Sequence, residues 1–183
     1  MTRHGHAALA LAAIAAAFVT GGAGSSLRNT TWKVSRASGP DVYAPTLMAI
    51  AEGPRGTGAV GVKCVRNGTP PTVWMTIVSD RYLGGDVSGG PRYEKLTYQL
   101  DAHPPVTSEW KYNDNTAELY ADDTRVDQLA LALMTARRIT IRAGRRDGTE
   151  IQFGLNVSDA APAINQIYDF CRRRPGEPPP DVE

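Results

Sequence analysis

Thr116–Arg173 reads TAELYADDTRVDQLALALMTARRITIRAGRRDGTEIQFGLNVSDAAPAINQIYDFCRR, and its apolar residues switch between a period of two and a period near four. Val126, Leu129, Ala130 and Leu133 stand at i, i+3, i+4 and i+7, one stripe of an amphipathic helix. Asp122-Asp123-Thr124 before them offers a carboxylate to cap the first free N–H groups. Arg137-Arg138 after them are expected to close the helix, the charge order that its dipole favours. Ile139, Ile141 and Ala143 then alternate with Arg138, Thr140 and Arg142, as in a strand wetted on one face. Asp147-Gly148 turns the chain, and Ile151, Phe153 and Leu155 return it. Ser158 is expected to cap a last helix whose stripe is Ala160, Ile164, Ile167, Tyr168 and Cys171.

Upstream the pattern is almost all strand. Thr30–Ala37 places Trp32 and Val34 on one face, and Gly39-Pro40 stops it. Val42–Glu52 is apolar up to the breaker Gly53-Pro54-Arg55-Gly56; within it Leu47–Ala51 is compatible with a strand or a helical turn. Ala59–Arg66 and Thr72–Ser79 form a hairpin across Asn67-Gly68-Thr69-Pro70-Pro71. Both faces of Thr72–Ser79 carry apolar residues, which marks a central strand. Glu94–Asp101 alternates with Leu96, Tyr98 and Leu100 inward, and Thr107–Tyr112 pairs with Thr116–Ala121 across Asn113-Asp114-Asn115. The expectation is an α+β protein: a mainly antiparallel β-sheet or sandwich with two helices in the C-terminal third.

The 183 residues suffice for one domain with a buried core. Met1–His6 carries Arg3, Ala7–Val19 is an unbroken run of 13 apolar residues, and small residues follow from Gly21 to Ser26. Such a run is short of the ~20 residues that cross a bilayer, and the three regions together read as a secretory signal over 1–24. The expected organisation is then an exported β-rich domain over 25–173 and a solvated Pro-rich tail over 174–183, with no stable membrane anchor after cleavage. Periplasmic or secreted localisation follows. Of 20 basic and 19 acidic residues only Arg3 lies in the signal, so the remainder is balanced. A neutral chain has no global attraction to nucleic acid.

Two cysteines in an exported chain point to a structural bridge. Cys64 shares the apolar face of its strand with Val60 and Val62, and Cys171 lies on the apolar stripe of the last helix. Both point inward, the spacing is not CxxC, and one pair leaves one connectivity. A bridge closing more than 100 residues contributes ~4–5 kcal/mol in the chain-entropy description.

Few residues are fit for chemistry. Beyond the signal the chain has one histidine, His103, on a Pro-rich loop, too few ligands for a zinc site and no partner for general-base work. No GxSxG accompanies it, and Gly84–Pro91 (GGDVSGGP) lacks the Lys-Ser/Thr and following helix of a phosphate loop. No catalytic residue, cofactor or metal is expected. The carboxylates Asp80 and Asp86 flank the glycine loop and would serve a cell-wall hydrolase only if held ~5–9 Å apart. Trp110 and Tyr112 share a strand face and read as core. Arg137, Arg138, Arg142, Arg145 and Arg146 gather at a helix end and a hairpin. They are either solubilising charge, with Arg142 set against Glu150 or Gln152, or a docking patch for an acidic partner.

From Gly61 to Arg173 the order of motifs is GVKCVRN, TVWMTIV, LTYQLD, SEWKY, a Leu/Ala-rich helix, a basic hairpin with IQFGL, and AINQIYDFC. This order resembles the exported VasI-type proteins associated with bacterial type VI secretion and their relatives. Gly154-Leu155 before the last helix fits that pattern, although Asn156-Val157 intervenes. The resemblance implies an envelope accessory protein without catalysis and carries over only Cys64 and Cys171. The functional expectation is an exported protein that docks on another envelope or secreted protein. The alternatives are a carboxylate-dependent cell-wall hydrolase and an inhibitor of a foreign hydrolase that inserts the glycine loop.

Overall fold

The structure, a computed structural model, describes residues 32–37, 44–66, 71–84, 90–119 and 124–176. The expected signal, the Asp122-Asp123 cap, Asp86 with most of the glycine loop, and residues 177–183 lie outside them. Nine strands follow the chain: β1 (Trp32–Ala37), β2 (Thr46–Glu52), β3 (Gly58–Val65), β4 (Thr72–Ser79), β5 (Arg92–Leu100), β6 (Val106–Asn113), β7 (Thr116–Leu119), β8 (Arg138–Gly144) and β9 (Glu150–Asn156). Helix α1 (Thr124–Leu133) precedes β8, and α2 (Ala160–Phe170) follows β9. Leu47–Ala51 is strand.

All nine strands form one antiparallel sheet, ordered β1-β2-β3-β4-β7-β6-β5-β8-β9, which curls into a half-barrel. It is one sheet and not a sandwich of two. The meander β5-β6-β7 is inserted in reverse, so β5 lies two strands beyond the neighbour of β4, and β8, which follows α1 in the chain, pairs with β5 and not with β7. Register keeps one apolar face continuous across the sheet. Leu47, Cys64 and Val73 are neighbours, as are Ala49, Val62, Met75 and Leu119, and as are Ala51, Val60, Ile77, Ala117 and Tyr112. On the other side Leu100, Ile139 and Leu155 continue the face, as do Leu96, Ala143 and Ile151. Both helices bury their stripes against this surface: Val126, Leu129, Ala130 and Leu133 from α1, and Ala160, Ala163, Ile164, Ile167 and Tyr168 from α2. Trp110 and Tyr112 are core residues. Only Trp32 of β1 is buried; Val34, on the same face of this edge strand, is exposed.

The helix termini depart from expectation. Helix α1 stops at Leu133, and Thr135 and Ala136 donate their N–H groups to Ala132 O in a closing turn. Arg137 and Arg138 therefore do not cap it. Their backbone N–H groups donate instead to the Asp101 carboxylate at 2.9–3.2 Å, which fixes the entry into β8. At α2 the cap position is Asp159, in the left-handed region (φ 60°) with no side-chain cap bond, and not Ser158. Asn156 Oδ1 accepts the Ser158 N–H at 2.9 Å, an Asx turn that moves the start of the helix one residue on.

Cys64 and Cys171 are bonded, with 5.8 Å between their Cα atoms and a sequence separation of 107. Beside the bond, Arg36 and Arg66 both lie over the Phe170 ring, at 5.1 and 5.3 Å. The helices are also joined through Asp127, which accepts a 2.5 Å hydrogen bond from the Tyr168 hydroxyl and a 3.1 Å one from Arg173 Nη2. A half-buried cation, Arg92, donates to Leu83 O and Gly144 O and lies 5.2 Å from the Tyr112 ring centre. It pins the fully buried Leu83, and with it the start of the crossover, to β8. No helix among the described residues is long and apolar enough to cross a membrane.

Replacing Cys64 and Cys171 together by alanine should lower the unfolding free energy by ~4–5 kcal/mol, read from urea denaturation of the oxidised protein and the variant. Thiol titration of the unfolded, unreduced protein should find no free thiol. Alkaline pH is a second probe. Burial, followed by the hydrogen bond and charge of Asp127, pushes the Tyr168 phenol well above its ordinary value of 10.0. Burial likewise raises Tyr112, with Arg92 opposing. The folded state thus favours both protonated phenols. Their contribution is complete below pH about 10 and is lost as pH rises beyond it. The thermal midpoint should fall steadily above that pH, with phenolate absorbance from these two residues appearing only on unfolding.

Candidate functional site

Where the half-barrel fails to close, β9 faces the turn between β2 and β3 across a seam. Trp32 Nε1 donates to Val157 O at 3.0 Å and holds one end shut. The turn itself is built by Gly53 N–H to Gly58 O (2.8 Å) and Gly56 N–H to Gly53 O (3.2 Å). Glycine is required at both of its ends for lack of space. A Cβ on Gly53 would stand 2.6 Å from Leu155 Cδ2, and one on Gly58 would stand 2.4 Å from the Phe153 ring. The missing side chains let the turn sit against β9.

Two adjoining hollows occupy the seam, meeting at Pro54 and Gly154. The first, about 530 Å³, adds Arg55, Thr57, Asp80, Arg81, Glu150 and Gln152. The second, about 590 Å³, adds Glu52, Arg137, Arg138, Asn156 and Ser158. Arg55 reaches its place from a left-handed backbone (φ 56°), which disfavours any residue with a Cβ by about 1–2 kcal/mol. The Arg138 guanidinium lies along Gly154, where a Cβ would meet Nη2 at 3.0 Å.

The five arginines singled out from sequence do not form one patch. Arg137 and Arg138 line the second hollow, and Arg142 stands exposed on the same strand face as Arg138, opposite Gln152. Arg145 belongs to the hairpin turn. It donates to Tyr82 O (3.0 Å) and Thr149 Oγ1 (3.1 Å) and pairs with Asp147 at 2.9 Å. Thr149 donates its hydroxyl and backbone N–H to Asp147 and holds that carboxyl below its usual range. Arg146 donates its backbone N–H to Leu83 O, and its Cβ lies against Gly84. Sequence reasoning missed Arg55 and Arg81, which join the face from turns remote in the chain. The one available signal was the glycine at each end of Gly53-Pro54-Arg55-Gly56-Thr57-Gly58.

The charges are unequal. Among the described residues Arg55, Arg81, Arg137, Arg138 and Arg142 form no ion pair. Of the three carboxylates in the hollows, Glu52 is bound to Lys33 at 2.6 Å. What remains is a cationic seam beside a strand edge. Among the described residues no three His, Cys, Asp or Glu side chains are gathered as a metal would require. His103 is exposed on its loop.

Nothing among known family models, curated proteins or solved structures matches this chain. The seam is therefore interpreted from its own geometry.

Gly58→Ala should destabilise the protein by about 1–3 kcal/mol, because the added methyl overpacks the contact with Phe153. In a double-mutant cycle, Phe153→Ala should remove most of the added cost, since it deletes the atoms that the methyl meets. Equal costs in both backgrounds would show that the turn does not rest on that ring.

Proposed function

We propose that this is an exported, non-catalytic accessory protein that docks on another envelope or secreted protein through the arginine-lined seam and the adjoining face of β8. The observation that carries the reading is that arginines without a carboxylate partner gather around one seam and the adjoining face of β8. Lys33, Lys63, Arg92, Arg145 and Arg173 each have a carboxylate partner. The five arginines around the seam have none among the described residues, so their charge is available to an acidic surface. Export is supported by the signal-like start of the sequence and by a disulfide between buried cysteines, a bond that oxidising compartments sustain. A periplasmic or secreted accessory of the VasI type agrees with these features.

One observation favours a second reading. Asp80 and Glu150 line the same hollow, as a carboxylate-dependent hydrolase acting on cell-wall sugars would need. Both residues are solvent-exposed, however, and a general acid is tuned in a water-poor pocket. The inhibitor alternative depends on the glycine loop, most of which lies outside the described residues.

Crosslinking the oxidised protein in envelope extract should yield a discrete partner. A variant with Arg137, Arg138 and Arg142 changed to serine should lose it without a change in thermal midpoint. Release of wall fragments that Asp80→Asn or Glu150→Gln abolishes would overturn docking in favour of hydrolysis.

A further inference from the structure

The unpaired edge of β9 borders the two hollows of the seam. Strand β9 ends the sheet order, so only β8 pairs with it. In an antiparallel ladder, alternate residues turn their N–H and C=O groups to opposite sides. Arg145 N–H bonds Thr149 O at one end of the hairpin, and Val157 N–H bonds Arg137 O at the other. That parity directs Ile151, Phe153 and Leu155 towards β8, and the main-chain groups of Glu150, Gln152, Gly154 and Asn156 away from it. Among the described residues, no backbone group or side chain takes up the outward N–H groups of Gln152 and Gly154. Natural sheets cover, bulge or charge such an edge, or use it to receive a strand.

This edge opens into the cationic seam. Arg55 and Arg81 stand with the first hollow, and Arg137 and Arg138 with the second. Among the described residues, the carboxylates there that form no ion pair are Asp80 and Glu150. A segment laid along β9 would meet main-chain donors and acceptors on one side and an excess of guanidinium groups around it. Its complementary chemistry is an extended backbone bearing carboxylates at alternate positions, because side chains of a strand repeat every second residue. We infer that β9 receives an extended acidic segment of the partner protein as an added antiparallel or parallel strand, held by the outward groups of Gln152 and Gly154 and by Arg55, Arg81, Arg137 and Arg138. This inference rests on the docking function proposed above and specifies the partner's contacting element.

The test uses the oxidised protein and a labelled peptide of about seven residues that alternates glutamate with valine, long enough for one strand. Two controls accompany it: the same peptide with lysine for glutamate, and the acidic peptide N-methylated at the amides of one edge. The acidic peptide should bind, the lysine peptide should not, and N-methylation should weaken binding at least about tenfold by removing main-chain donors. Hydrogen exchange at Gln152 and Gly154 should slow on binding. Gln152→Pro deletes one outward N–H without removing a bond to β8, and should abolish binding while the fold is kept. Arg55→Gly should weaken binding about tenfold while leaving the thermal midpoint unchanged or higher, since glycine accepts the left-handed backbone. Equal binding of the N-methylated peptide, or unchanged exchange at Gln152 and Gly154, would overturn strand addition. Failure of the acidic peptide to bind would overturn it too. In each of these cases an arginine-dependent crosslink in envelope extract would leave docking itself standing, whereas its absence would remove both.

Discussion

The Cys64–Cys171 bond joins the third strand to the end of the last helix, and most of the tertiary arrangement is conditioned by that junction. Helix α2 lies across β1, β2 and β3 and closes the concave side of the sheet. Its final turn is held covalently from below and by two arginines on Phe170 beside it. A short helix of this kind has little stability of its own, because nucleation is costly and only packing repays it. Fixing its end therefore fixes the register of its whole apolar stripe. Helix α1 is then tied to α2 through the Asp127–Tyr168–Arg173 contacts, so constraint passes from the disulfide to both helices.

The curvature of the sheet has a different origin. Antiparallel strands twist, and nine of them accumulate enough twist to bring the two edges near each other without hydrogen bonding them. The Trp32 indole bridges the gap at one end, and the two glycines of the β2–β3 turn let it narrow along the rest. What is left is a cleft with main-chain polarity on one wall and guanidinium groups around it. Its position follows from incomplete closure, and its charge from arginine side chains that form no ion pair among the described residues.

Much of this was legible in the sequence because it is local. The i, i+3, i+4, i+7 stripe of α1 and the alternation of Ile139, Ile141 and Ala143 name their elements directly, and inward Cys64 and Cys171 meet as their faces required. The inverted meander was not legible. Leu96, Tyr98 and Leu100 alternate in the same way whichever strand lies beside them, so periodicity cannot distinguish order β4-β7-β6-β5 from β4-β5-β6-β7. For the same reason, sheet and sandwich were equivalent. The seam was hidden for a related cause, since Arg55 and Arg81 reach β9 only through curvature of the whole sheet. Ends of elements were the weakest point. Arg137 and Arg138 have the composition of a helix end, but the Asp101 carboxylate, which is remote in sequence, takes their N–H groups. Asn156 displaces Ser158 at the start of α2 through a single side-chain bond.

The reversed insertion of β5-β6-β7 also sets which pairings are local and which are long-range. Its two internal pairings join residues close in the chain, so this meander can form early at small entropic cost. Joining it to the rest requires β4 to find β7 and β5 to find β8, pairings that span the crossovers on either side. Such long-range closures dominate the barrier in β proteins and slow them relative to helical chains of similar size. The last helix, which carries the second cysteine, is synthesised after every strand and docks across the first three. Covalent closure of the chain therefore waits for its final segment.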